Sequence, residues 1–339
     1  MTDELMLKVD NLCTYFELPR AHPFTPVQKV YAVDDVSFEL TRGKTFGLVG
    51  ESGCGKSTTA LSILRLIEPT SGSVYFNSVD VLKLTANELR KIRRSMQIIF
   101  QDPYSSLNPQ TTAGDIVERS LKIHNIGNSK ERKERVRELF ARVGLRPDQQ
   151  GAFPHQFSVG QRQRISVARA LATQPDLIVC DEPVSALDVA IQAQILNLLI
   201  GLQKDFNLTY LFISHDMAVV QHICDEIAVL YLGKIVEQAD RISLFKHPRH
   251  PYTWALLSAV PSIITESDTP KKRVQLEGDP PNPIDPPPGC RFAQRCPFAD
   301  AGDKCWSQMP PLREIQNGHK VACHRVTADG IAPQDRIST

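Results

Sequence analysis

The sequence predicts an α/β protein: a core of alternating strands and helices with an inserted helical segment, followed by a small irregular tail. Three observations predict it. A glycine-bordered loop, Gly50-Glu51-Ser52-Gly53-Cys54-Gly55-Lys56-Ser57 with Thr58 after it, stands between a short apolar run and a helical pattern. The runs Leu177–Cys180 and Tyr210–Ile213 are continuously apolar, as in parallel strands buried on both faces, and a helical stripe separates them. From about residue 245 the periodic pattern fades, prolines crowd the stretch from Pro280 to Pro288, and four cysteines follow.

The bulk properties narrow the class. A chain of 339 residues has room for about two domains. A formal net charge of +1 gives no global field toward nucleic acid or anionic lipid. The opening residues Met1-Thr2-Asp3-Glu4-Leu5 are acidic with no long apolar core, so no secretory signal is expected. The longest apolar stretches, such as Ile195 to Leu202, are interrupted and far short of a membrane span. A cytosolic chain that reaches a membrane only through a partner is the expectation.

Taken in order, Leu7-Lys8-Val9 and Ala32 to Leu40 alternate as strands do. Tyr15 and Phe16 lie between them, before a loop with Pro19, Pro23 and Pro26. Thr45-Phe46-Gly47-Leu48-Val49 reads as the strand leading into the glycine loop, and Ala60, Ile63, Leu64 and Ile67 as the helix leaving it. Thr85 to Arg94 is a basic helical segment, and Met96 to Phe100 is a strand that ends at Gln101. A helical insertion is expected from there to about Gln150, where the mixed charges Lys130 to Arg135 suit a solvated face. Ile165, Ala168 and Ala172 mark the next helix, which starts near Phe157-Ser158-Val159-Gly160-Gln161. Asp181-Glu182 and Ser214-His215-Asp216 end the two apolar strands, the place where open parallel sheets bind ligands.

These residue types suit one chemistry. Glycines 50, 53 and 55 let backbone N–H groups turn inward around phosphate oxygens, and the following helix adds its positive end. Lys56 can reach β- and γ-phosphates, and Ser57 can ligate Mg²⁺ with Asp181. Glu182 is placed to accept a proton from attacking water, His215 to bond the γ-phosphate, and Gln101 to touch Mg²⁺ and the water. Each of the last four is weak alone, because polar residues commonly end strands. Together, downstream of a good phosphate loop, they point to nucleotide hydrolysis.

At this point the chain resembles the ATP-binding cassette (ABC) family. Ser158-Val159-Gly160-Gln161 is similar to its signature, Gln101 to its Q-loop, and Asp181-Glu182 to its Walker B pair. Ser185-Ala186-Leu187-Asp188 is similar to its D-loop and His215 to its switch histidine, and Phe16 falls where the family places an adenine-stacking aromatic. Asp102 to Pro109 and the tail from His250-Pro251-Tyr252 resemble ATPase subunits of bacterial oligopeptide and dipeptide importers, whose relatives carry nickel, opines or other small solutes. The resemblance implies a P-loop ABC cassette over residues 1–250, with a mixed sheet, a β-subdomain and a helical subdomain at about 103–172. A C-terminal region, 251–339, completes it. It also implies ATP held between the phosphate loop of one cassette and Ser158, Gly160 and Gln161 of another, with Asp188 nearby. Implied partners are a second, non-identical ATPase chain, two membrane permease subunits and an extracytoplasmic solute-binding protein, with this chain on the cytoplasmic face of the inner membrane. A cassette ATPase acting outside transport is the alternative, and it fits the near-zero charge poorly.

One departure from the family and one cysteine cluster stand out. Val159 replaces the family's glycine, and a β-branched side chain there is expected to weaken the ATP site that this signature completes. Cys290, Cys296, Cys305 and Cys323 lack the close pairs of zinc sites and have gaps that suit a [4Fe–4S] cluster, with zinc or free thiols as the other readings. Similar peptide-importer tails carry such clusters. Cys13, Cys54, Cys180 and Cys224 are scattered, as small buried hydrophobes are.

Overall fold

The computed structural model describes residues 4–20, 27–259, 278, 281–300, 302, 304–316 and 318–336. Pro23, Pro26, Pro280 and the opening residues Met1-Thr2-Asp3 lie outside the described residues. The chain forms two units from interleaved segments. One holds Leu40–Thr45 and Phe76–Ser214 with the chain up to Leu7; the other holds Lys8–Glu39, Phe46–Tyr75 and the chain from His215 onward.

In the first unit, the strands Met96–Ile99, Leu177–Asp181 and Thr209–Ser214 run parallel in that order, with Cys180 opposite Phe212 and Asp181 opposite Ile213. Every residue of the latter two is buried, which is why their sequences show no polar alternation. The helices Ala113–Ile123, Ser129–Arg142 and Val159–Leu171 pack against one another. Val117, Leu121, Leu139, Phe140 and Ile165 are buried among them. Thr112, Asn128 and Ser158 cap their N-termini, so each boundary is written locally. The charged run lies along the exposed side of Ser129–Arg142, with Arg137 paired to Glu134 three residues away.

In the second unit, the strand Thr45–Val49 pairs in parallel with Glu226–Tyr231, which pairs antiparallel with Lys234–Asp240. The sheet is therefore mixed. A separate sheet sets Leu5–Glu17 between Lys29–Thr41 and Ser71–Phe76.

Two features differ from the sequence reading. The helix after the loop is only Lys56–Ile63, because Arg65 takes a left-handed conformation (φ +50°) and turns the chain before Ile67. The tail is also less irregular than its composition suggests. His319–Val321 pairs with Lys234–Asp240, and Arg313–Gln316 pairs with His319–Val321. Arg-Glu-Ile-Gln carries one apolar residue, so this edge strand is held by backbone pairing and shows no hydrophobic pattern.

Candidate functional site

The strand Thr45–Val49 is wholly buried and delivers the chain into the glycine loop. Gly50 has φ +155°, and a Cβ there would lie 2.2 Å from the Leu230 carbonyl oxygen; Gly55 has φ +105°, and its Cβ would lie 2.0 Å from that of Ala32. Neighbouring backbone thus requires glycine at both positions, in addition to any demand from a phosphate. The Lys56 side chain curls inside the loop, its ammonium donating to the carbonyls of Gly50 (2.8 Å) and Glu51 (3.0 Å), and the residue is 4% exposed. Gly55 caps the Lys56–Ile63 helix without a side-chain bond, so the helix presents its first N–H groups and its dipole where an anion would sit. Ser57 and Thr58 are half-buried, and Ser52 and Gly53 are exposed. Cys54 is buried, which pushes its thiol up to about 11 despite nearby Lys56, so it stays protonated and inert. Phe16 projects at the end of its strand, 41% exposed. His215 follows the last residue of Thr209–Ser214 and is exposed.

The carboxylates belong to the other unit. Asp181 ends its strand and Glu182 follows it, both buried. Gln101 donates from Nε2 to Glu182 Oε2 at 3.0 Å, so two strand-end residues 81 apart in sequence meet, a contact the sequence alone does not indicate. Glu182 has φ +45°, a strained conformation for a residue with a side chain. Its N–H bonds the Ile213 carbonyl (3.0 Å), and its own carbonyl accepts from the Ser185 hydroxyl (3.1 Å). Ser185 therefore helps fix the turn that carries the carboxylate. Asp188 accepts from the Ile191 N–H at 2.9 Å and caps the next helix.

Ser158 and Gln161 form a reciprocal capping box at the start of Val159–Leu171: the Ser158 hydroxyl accepts from the Gln161 N–H (3.3 Å), and Gln161 Oε1 from the Ser158 N–H (3.0 Å). Val159 and Gly160 are half-buried, and a Cβ on Gly160 would lie 2.7 Å from Ile191 Cγ2.

The four tail cysteines do gather. Burial, with the nearness of Cys305 and Cys323 adding to it, pushes Cys290 and Cys296 up to about 12. Among the described residues, however, no three His, Cys, Asp or Glu side chains are disposed to hold a metal ion. The thiols as placed do not fit the expected [4Fe–4S] cluster, because a cubane needs four thiolates converging on one point.

Sequence reasoning missed the residues that brace the loop from the tail. Tyr252 accepts from the Glu51 N–H through its hydroxyl (2.9 Å), and Arg295 makes a forked pair with the Glu51 carboxylate (2.7 and 3.1 Å). Separations of 201 and 244 residues leave no local signal for either.

Residues 33–185 match the ABC transporter family, and residues 236–305 match the oligopeptide/dipeptide transporter C-terminal region. The chain is 48% identical over 322 residues to the oligopeptide transport ATP-binding protein AppF of Bacillus subtilis (strain 168), covering 95% of this chain and 97% of the relative. Among solved structures, it is similar to the ATP-binding cassette MJ0796 in a dimeric post-hydrolysis state bound to ADP and Pi, with TM-score 0.62 and 30% identity over 70% of this chain and 99% of that one. It is also similar to cbiO1 from Clostridium perfringens, part of the ABC transporter complex cbiONQ, with TM-score 0.61 and 25% identity over 72% and 92% of the two chains.

Proposed function

The chain belongs to the ABC transporter ATPases, in the branch with the oligopeptide/dipeptide transporter C-terminal region, and from that premise we infer that it is the ATP-hydrolysing subunit of a bacterial peptide importer. The observation that carries this reading is the phosphate loop 50–57, set between a buried strand and a helix with Lys56 enclosed in its curl.

ATP sits with its phosphates in the loop, its β- and γ-phosphates against Lys56 and its adenine on Phe16. Ser57, Asp181 and Gln101 would hold Mg²⁺; their hydroxyl, carboxylate and amide oxygens are the hard donors it prefers, and it supplies charge neutralisation. Water attacks the γ-phosphorus, the bond to the β–γ bridging oxygen breaks, and Glu182 takes the water's proton while Gln101 orients the carboxylate. His215 bonds the γ-phosphate. Ser158, Gly160 and Gln161 act on the nucleotide of a partner cassette, with Asp188 at the same junction. The motor divides into a cassette to about residue 250 and a C-terminal region beyond it.

No helix among the described residues is long and apolar enough to cross a membrane. In this reading the chain attaches through two permease subunits at the cytoplasmic face of the inner membrane. A second, non-identical ATPase and an extracytoplasmic binding protein complete the assembly. Iron and sulfide content decides the cluster expected on Cys290, Cys296, Cys305 and Cys323. About four iron and four sulfide per chain, in protein purified without oxygen, is the result that reinstates it.

Two variants of the reconstituted complex test the motor. Lys56→Ala is expected to lose ATP binding and turnover together. Glu182→Gln is expected to keep ATP binding and lose turnover by about 10²–10⁴-fold, the usual loss on removing a general base. Unchanged turnover in either variant rejects the reading.

A further inference from the structure

Glu51 is held by three side chains. Its backbone carbonyl accepts from the Lys56 ammonium at 3.0 Å. Its N–H donates to Tyr252 at 2.9 Å, and its carboxylate takes Arg295 Nη1 at 2.7 Å and Nη2 at 3.1 Å. One residue therefore connects the tail to the lysine of the phosphate loop. Burial disfavours the Arg295 charge, but Glu51 and the Tyr231 hydroxyl more than offset that, so the guanidinium is held above its usual value and stays cationic. Arg295 ends the turn Ala293–Arg295, which is anchored four residues earlier where Arg291 donates to the Leu232 carbonyl (2.7 Å) and to Asp34.

A carboxylate beside a loop that binds a polyanion is unfavourable unless its charge is cancelled, and a forked guanidinium cancels it with fixed geometry. We propose that Arg295 is a positioning residue for the nucleotide: it neutralises Glu51 and fixes the first turn of the phosphate loop, so that the tail sets the loop's affinity for nucleoside triphosphate. Arg295 touches neither nucleotide nor reacting atoms; it acts through Glu51. The proposal rests on loop 50–57 being the nucleotide site.

The test measures binding of trinitrophenyl-ATP to the full chain, and KM and kcat of the assembled complex for Mg·ATP. Arg295→Ala is expected to weaken binding about tenfold, as one uncompensated charge close to a polyanion does, with the loss in KM and kcat changed by less than about twofold. Adding Glu51→Gln removes that charge and is expected to restore binding to within about twofold, and Arg295→Lys to give an intermediate value. A merely structural brace predicts the reverse, the double variant binding no better than Arg295→Ala. The proposal is overturned if Arg295→Ala binds as the unaltered chain does, or if Glu51→Gln fails to rescue it. Should Arg295→Ala not fold, the folded Arg295→Lys and double variants decide: near-normal binding in the double with weaker binding in Arg295→Lys supports the proposal, and any other order rejects it. Lys56→Ala separates the two failures, since normal binding there rejects the nucleotide site itself.

Discussion

Glu182 shows at the residue scale what a strand-end carboxylate needs to be useful. Its φ of +45° bends the side chain out of line with the strand, and the bonds to Ile213 and Ser185 hold that strained backbone in place. The acid pair is visible in the sequence; the bend is not, because it depends on a carbonyl 31 positions away in another strand. Val159 makes the opposite case. It occupies the first turn after the Ser158 cap and is half-buried, so its branched side chain stands beside the backbone that the signature presents. Val159→Gly is expected to raise ATPase activity of the complex by roughly twofold, the equivalent of about 0.4 kcal/mol in the barrier, although glycine weakens the helix start slightly. An unchanged steady-state rate would count against crowding at this position.

Within single elements, local chemistry explains most boundaries, and the exceptions come from buried polar groups. The helix Pro251–Ser258 is capped by His250, whose Nδ1 accepts from the Tyr252 N–H at 3.1 Å. That bond requires neutral imidazole, and burial lowers His250 from 6.5 to about 4 against the opposing influence of Glu237. The depressed value means that the unfolded chain takes up a proton that the folded chain refuses. Stability from this group is complete above pH 6.5, falls as the pH drops, and is lost by about pH 4. At pH 5 the loss is roughly 2 kcal/mol relative to pH 7. In His250→Asn, which keeps a capping oxygen without a titrating ring, thermal melting should lose that part of its dependence between pH 7 and 5; an identical dependence in both proteins would refute the assignment. Glu237 is a second such group. Fully buried on the strand Lys234–Asp240, its carboxylate accepts from the N–H groups of Arg249 (2.6 Å) and His250 (2.9 Å) and lies 2.7 Å from His319 Nε2. It ties the strand to the helix start and to the tail hairpin. A buried carboxylate is tolerated where such partners surround it, and none of them is close in sequence.

Across the whole molecule, the tail is the part that composition describes least well. Its prolines and cysteines suggest an appendage, yet it adds the edge strands 313–316 and 319–321 to a sheet and places Arg295 and Tyr252 on the phosphate loop within one unit. The four cysteines illustrate a limit of spacing arguments. Sequence gaps allow a cluster, whereas the positions of the thiols in space decide whether a ligand set exists, and among the described residues none does. By itself the sequence determined the phosphate loop, the parallel strands and the helix caps. Each is a demand made by residues within about ten positions of one another: glycine for a tight turn, unbroken apolar runs for burial, a hydroxyl or carboxylate for a helix start. Only the tertiary structure decided that Gln101 meets Glu182, that Glu237 gathers its partners, and that Arg295 covers Glu51. Those pairings close over 12 to 244 residues, and what selects them is charge and hydrogen-bond satisfaction inside a packed fold, which no local pattern encodes.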